Sequence, residues 1–262
     1  MSVFEQRPLI VSIAGPNGAG KTTFHAAHLP SSGLRFVNAD ELARELGIDA
    51  YRAAELASQI RRDLVLARES FVFETVFSDP KQDKIAFLRS AQDAGYTVLL
   101  CFIGLESAQL SEERVTLRAL MGGHDVPSTK LLERYPRSLA NLAHALRELQ
   151  RVHVYDNSVS GQPHRLVAEL EGGKLRTLGL PSPRWLQPLV RGLAALEPLY
   201  VIATVVQDAD RETLMLEAED GSTLRILRAA GKQRVRAGER VRLDVDLTLL
   251  RTLRPPARAR RR

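Results

Sequence analysis

Apolar residues gather in short runs at 9–14, 34–38, 71–75, 97–103 and 152–155, and between these runs they recur at helical spacing. Continuous apolar runs mark strands buried on both faces, and their alternation with helices predicts a parallel sheet covered by a helical layer on each side. The clearest helix spans 51–69. There Ala54, Leu56, Ala57, Ile60, Leu64 and Leu66 fall near one side, and Arg52, Glu55, Arg61, Arg62 and Arg68 mark the other. Residues 107–149 also read as helical, interrupted at Gly122, Gly123 and Pro127.

After Asp156-Asn157-Ser158 the pattern changes. A short hairpin is expected over 166–178 around Glu171-Gly172-Gly173, and Pro181 and Pro183 lead into a helix over 185–196. Four short strands follow at 199–206, 213–218, 223–227 and 240–245, with Asp220-Gly221 as a hairpin turn. The organisation expected is an α/β domain over 1–196, a small β domain over 197–253 and a basic tail over 254–262.

Composition narrows this picture. With 44% apolar and 26% charged residues, the 262-residue chain has the balance of a soluble globular protein. No apolar run reaches membrane-spanning length, and the first residues lack the basic and apolar regions of a secretory signal, so no membrane partner is expected and the expected compartment is the cytoplasm. The single cysteine, Cys101, lies inside an apolar run, which excludes an internal disulfide and argues against a cysteine metal site. Of the net charge of +6, residues 1–196 contribute 23 basic and 21 acidic side chains, and residues 197–262 contribute 14 and 10. Arg251, Arg254, Arg258, Arg260, Arg261 and Arg262, broken by Pro255 and Pro256, form a tail suited either to nucleic acid or to plain solvation. No aromatic residue is interleaved for base stacking.

The strongest chemical signal follows the first strand run: Gly15-Pro16-Asn17-Gly18-Ala19-Gly20-Lys21-Thr22-Thr23. Two glycines separated by four residues, then lysine and threonine, form a phosphate-binding loop. Its backbone N–H groups turn toward a polyphosphate, and the helix that starts at the loop adds partial positive charge. Lys21 is placed to reach the β and γ phosphates of a bound nucleotide, and Thr22 to hold a magnesium ion. Guanine-specific, switch and transporter-signature motifs are absent from the sequence, so the discriminating residues lie elsewhere.

The second strand run ends in Asn38-Ala39-Asp40, which puts Asp40 at the carboxyl edge of the sheet. A carboxylate there can accept the proton of an attacking hydroxyl, or it can cap the following helix. Glu74 closes an otherwise apolar run and needs a partner: a substrate hydroxyl, a metal-bound water or an arginine. Arg114 and Arg118 share one helix face, and Arg134 and Arg137 share another, on either side of a Gly122-Gly123-His124-Asp125-Val126-Pro127 joint. Arginines beside a hinge suit a helical lid that closes on a transferring phosphoryl group. His124 is a further substrate-binding candidate, and its surroundings do not form a metal-ligand pattern. Asp156 and Asn157 either contact a bound nucleotide or form a side-chain turn.

Taken in order, A-G-P-N-G-A-G-K-T-T, F-V-N-A-D, F-E-T, G-G-H-D-V-P with R-Y-P-R-S-L-A-N-L, and Y-D-N-S resemble the zeta toxin family of P-loop kinases over residues 9–196. The resemblance implies an α/β P-loop kinase-type three-layer fold with a parallel sheet and helical lid, and ATP with Mg2+ as cosubstrates. It implies phosphorylation of a hydroxyl on UDP-N-acetylglucosamine, and inhibition by a small antitoxin protein. It assigns Lys21 to phosphate binding, Thr22 to magnesium, Asp40 to the base, and Glu74 with Thr75 to the acceptor site. Arg118, Arg134 and Arg137 stand as candidates, because this lid sequence differs from that of the best-known toxins. The residues leave two other readings open: a nucleic-acid-associated ATPase using the C-terminal unit, and a kinase for an antibiotic or other metabolite hydroxyl.

Overall fold

The apolar runs form β1 (Leu9–Ala14), β2 (Arg35–Val37), β3 (Phe71–Thr75), β4 (Thr97–Gly104) and β5 (Arg151–Asp156) of a computed structural model. It describes residues 3–121, 126–179, 181–196, 200–208, 213–218, 223–227, 238 and 240–244. With β6 (Arg165–Glu171) and β7 (Lys174–Leu178) these strands make a seven-stranded sheet in the order β2-β3-β1-β4-β5-β6-β7. β1 to β5 run parallel, and the hairpin expected over 166–178 adds β6 and β7 antiparallel at the edge. The chain steps from β1 out to β2, back to β3, then across β1 to β4. That reversal puts a topological switch at the carboxyl ends of β1 and β3, where open α/β sheets build their sites.

The helices are α1 (Lys21–His28), α2 (Ala39–Leu46), α3 (Ala50–Leu66), α4 (Asp83–Asp93), α5 (Ala108–Leu120), α6 (Ser128–Glu148) and α7 (Gln187–Val190). Side chains at alternate positions of the central strands face opposite helical layers. Val11, Ile13, Val72, Cys101 and Ile103 share one core cluster with Phe24 of α1. Burial there pushes the Cys101 thiol up to about 12, which keeps it protonated and inert.

α3 departs from the expected helical face. Its buried positions are Ala53, Ala57, Arg61 and Leu64, and Leu66 is 83% exposed. The Arg61 guanidinium lies 4.9 Å from the Phe73 ring centroid and 5.8 Å from that of Phe87, and it donates to Ser58 Oγ at 2.7 Å. Aromatic faces repay part of the lost hydration of a guanidinium, and they come from β3 and α4, out of reach of a count along one helix. The helix expected over 185–196 is a single turn at Gln187–Val190. Pro188 is tolerated only in a first turn, and Gly192 at φ +76° leaves the helical region just beyond.

α6 fixes the chain leaving β3 and β4. Tyr135 Oη donates to Leu105 O at 2.7 Å, Ser138 Oγ to Val76 O at 2.6 Å, and Asn141 Nδ2 to Phe77 O and Asp79 O at 3.0 and 2.9 Å. These bonds satisfy carbonyls in irregular segments that no strand or helix can pair.

The chain divides into two compact units: Met1–Gly179 with Ala194–Leu196, and Leu180–Leu193 with Glu197–Arg262. The second contains β8 (Tyr200–Asp208), β9 (Thr213–Ala218), β10 (Thr223–Leu227) and β11 (Arg240–Asp244), an antiparallel sheet ordered β10-β9-β8-β11. The expected turn at Asp220-Gly221, the basic tail and His124 with its glycine joint lie outside the described residues. Among the described residues no helix is long and apolar enough to cross a membrane.

Candidate active site

The loop between β1 and α1 sits at the switch point. Gly15 holds φ +143°, and a Cβ there would lie 2.1 Å from the carbonyl oxygen of Ile103 on β4. Gly20, at φ +84°, leaves room for the Asn157 side chain, whose Nδ2 would stand 2.7 Å from a Cβ. Lys21 opens α1 and folds back over the loop, donating from Nζ to Pro16 O at 3.0 Å. Its side chain is only 6% exposed. Burial holds its pKa below the usual lysine value, the negative charges of Glu74 and Asp40 oppose that shift, and Arg118 adds to it.

Glu74, at the end of β3, is the acid in contact with the loop. Its Oε2 accepts from Thr22 Oγ1 at 2.8 Å and from Asn38 Nδ2 at 3.3 Å, and its Oε1 lies 3.8 Å from Lys21 Nζ. The partner expected for this carboxylate is a substrate group, a metal-bound water or an arginine; in the structure it accepts from Thr22 and Asn38, and its charged partner is the phosphate-loop lysine. Thr75 Oγ1 is turned to the next bend, accepting from Phe77 N at 3.1 Å.

Asn38 takes the capping role that the sequence offers to Asp40. Its Oδ1 accepts from Asp40 N at 2.9 Å and it is the N-cap of α2. The Asp40 carboxylate is thereby left exposed in the first turn of α2, close enough to act on the charge of Lys21.

The arginines fall into two groups. Arg118 is exposed on α5, on the side of the buried Ser111 and Val115, and its charge reaches Lys21. Arg134 is half-buried on α6, one turn before Ser138, whereas Arg137 is exposed and paired with Glu133 at 3.3 Å. The loop, Glu74, Asp40 and Arg118 thus share one neighbourhood.

Three residues absent from the sequence expectations complete it: Asn38, Ser111 and His164. Ser111 Oγ donates to Asn17 O at 2.6 Å, and Asn157 Nδ2 donates to Ala19 O at 2.9 Å. His164 N donates to Asn157 Oδ1 at 3.2 Å, and its Nε2 lies 3.2 Å from Gly20 O. Asn157 is therefore tied to the phosphate loop itself. Ser111 and His164 carry no local motif, and only their approach to the loop marks them.

The donor set suits a magnesium polyphosphate. A loop free of side chains at its tight points, a buried ammonium and a helix N-terminus complement the anion. Thr22 and Glu74 offer hard oxygens of the kind magnesium takes. No group of three His, Cys, Asp or Glu forms a cage among the described residues, and an ion held chiefly by phosphate and water needs none.

Residues 48–162 match the model of the zeta toxin family. That span begins after the phosphate loop and Asp40, whose reading rests on their own motif and geometry. Among solved structures, the complex of AvrRxo1-ORF1 with AvrRxo1-ORF2 containing sulphate ions matches with a TM-score of 0.53 and 17% identity, over 68% of this chain and 65% of that one. The same complex with ATP gives a TM-score of 0.53 and 17% identity, over 68% and 64%. The PezAT chromosomal toxin-antitoxin system of Streptococcus pneumoniae gives 0.48 and 18%, over 62% and 72%. The chain spans slightly less than two thirds of the AvrRxo1 chain it matches, with 65% covered, and at this identity the likeness is one of fold. No curated protein matches the sequence. From α3 to the Asn157 loop the chain is similar to the zeta toxin family, and its phosphate loop lies at the switch point of a mostly parallel sheet, as in the P-loop kinase fold.

Proposed function

We propose that the chain is an ATP-dependent phosphotransferase that moves the γ-phosphate to a hydroxyl of a small molecule, with a UDP-amino sugar as the acceptor class. The observation that carries this reading is the exposed Asp40 carboxylate, relieved of capping by Asn38 and acting on the same buried Lys21 that lies over the phosphate loop. The likeness of residues 48–162 to the zeta toxin family supports the acceptor class.

In this reading the loop amides and Lys21 bind the phosphates, and Arg118 brings a further positive charge to the side where negative charge develops. Asp40 accepts the acceptor hydroxyl proton, and Glu74 with Thr75 orients the acceptor. Arg134 completes the charge on closure of the α5–α6 lid, and Arg137 is the outermost of the three. Thr22, with Glu74 beside it, would hold Mg2+, which would supply neutralisation of phosphate charge. A small inhibitory protein is the proposed partner, supported by the likeness to the zeta toxin family.

The test is to incubate the protein with ATP, Mg2+ and a panel of UDP-sugars and to look for a phosphorylated product by mass spectrometry. Hydrolysis of ATP to ADP and phosphate with no transfer to any sugar or metabolite hydroxyl rejects the reading. Transfer to a different metabolite hydroxyl keeps the kinase and replaces the acceptor.

Glu74→Gln gives an independent result. Removing the carboxylate strands the buried Lys21 charge, which costs about 1–3 kcal/mol of stability in the nucleotide-free protein. Saturating nucleotide supplies a replacement counter-charge, so the loss measured by thermal melting shrinks in its presence. Equal losses with and without nucleotide would show that phosphate does not take over from Glu74.

A further inference from the structure

The phosphate loop is held from outside by side chains that no motif assigns to it. Carbonyl oxygens of Asn17, Ala19 and Gly20 are each approached by a side chain from a distant element: Ser111 of α5 at 2.6 Å, and Asn157 and His164 beyond β5 at 2.9 and 3.2 Å. A trans peptide is planar, with its C=O and N–H on opposite sides. Fixing these carbonyls outward, that of Gly20 jointly with the backbone bond from Phe24 N at 2.8 Å, therefore aims the N–H groups of Gly18, Gly20 and Lys21 the other way, into the cradle. Pro16 O is taken from within the loop, by Lys21 Nζ at 3.0 Å and by Ala19 N at 3.3 Å.

Asn157 and His164 act as a unit. Asn157 gives its amide N–H to Ala19 O and uses its Oδ1 to accept from His164 N. His164 is 8% exposed and holds φ +53°, a left-handed conformation that a non-glycine residue adopts only when its surroundings insist. The accepting carbonyl of Gly20 requires the Nε2–H tautomer or the imidazolium. The Phe24 ring, first-turn neighbour of Lys21, packs edge-on against His164 at 5.3 Å.

Resting on the nucleotide-binding reading above, we infer that Ser111, Asn157 and His164 are positioning residues that orient the phosphate-binding amides, with Asn157 and His164 forming a latch between the loop after β5 and the phosphate loop. The latch recognises the phosphate chain of the nucleotide only through the amides it aims, and makes no contact with the base.

The experiment measures binding of ATP and of inorganic tripolyphosphate by calorimetry in the full chain, alongside thermal melting. Asn157→Ala and His164→Ala should weaken both ligands by roughly tenfold, the effect of one hydrogen bond's worth of orientation. His164→Gln keeps an N–H donor and should recover most of the affinity. Asn157→Asp keeps the acceptor for His164 N but loses the donor to Ala19 O, and should not recover it. Loss of ATP affinity with tripolyphosphate affinity unchanged overturns the inference, because it places the latch against the nucleoside. A lowered melting temperature with both affinities intact also overturns it, in favour of a merely structural role. Where an alanine variant does not fold, Ser111→Ala, which removes only one hydroxyl, carries the same binding test. These readouts do not depend on phosphoryl transfer, so a failure to find an acceptor leaves this result standing or falling alone.

Discussion

Replacing Asp40 with asparagine is expected to lower the rate of phosphoryl transfer by roughly 10²–10⁴-fold while nucleotide affinity stays nearly unchanged. The amide keeps the size and shape of the carboxylate but cannot take a proton from a hydroxyl. The local fold is insulated from the change, since Asn38 caps α2 and its bond to Asp40 involves only the backbone N–H. A carboxylate in the first turn also favours the helix dipole, so a stability loss of about 0.3–1 kcal/mol accompanies the substitution. Two measurements separate the effects: kcat with ATP and the hydroxyl acceptor, and the Kd of a non-hydrolysable ATP analogue. Normal turnover by the variant would remove Asp40 from the base role. Loss of affinity matching the loss of rate would make it a binding residue.

Gly15→Ala is expected to destabilise the whole P-loop unit by about 2–6 kcal/mol, the sum of a strained backbone and an overpacked contact. The new Cβ would fall 2.1 Å from Ile103 O, a main-chain atom of the neighbouring strand that cannot rotate away. β1 pairs with β4 up to the Ala14–Phe102 position, so relief requires parting the two central strands next to the site. Thermal or denaturant unfolding measures the loss, and weaker ATP binding should accompany it. A variant that melts like the parent and still binds ATP would show that the loop tolerates a side chain here.

Much of the fold is legible in the residues because the signals are local. Buried parallel strands announce themselves as unbroken apolar runs, and β1 and β3 fall where those runs predict. The phosphate loop is equally plain, since its chemistry needs glycine, lysine and threonine at fixed offsets along one stretch of chain. The four strands of the C-terminal unit follow the spacing of its short apolar runs. Amphipathic patterning was less informative for α3, where Arg61 is buried against aromatic rings from other elements. Glu74 reads from sequence as an acid in need of a partner, yet that partner is Lys21, 53 positions earlier in the numbering.

The sequence by itself determined the alternation of strands and helices, the phosphate loop and the acids at the strand ends, because each depends on residues within a few positions of one another. Tertiary structure decided what those residues do to each other. It turned Gly15 from a flexible loop residue into a packing requirement against Ile103, gave the cap to Asn38 so that Asp40 stands free, and joined Asn157 to Ala19 across 138 positions. Hydrogen bonds, burial and charge act over a few ångströms of space, and only the folded sheet brings such distant positions within that range.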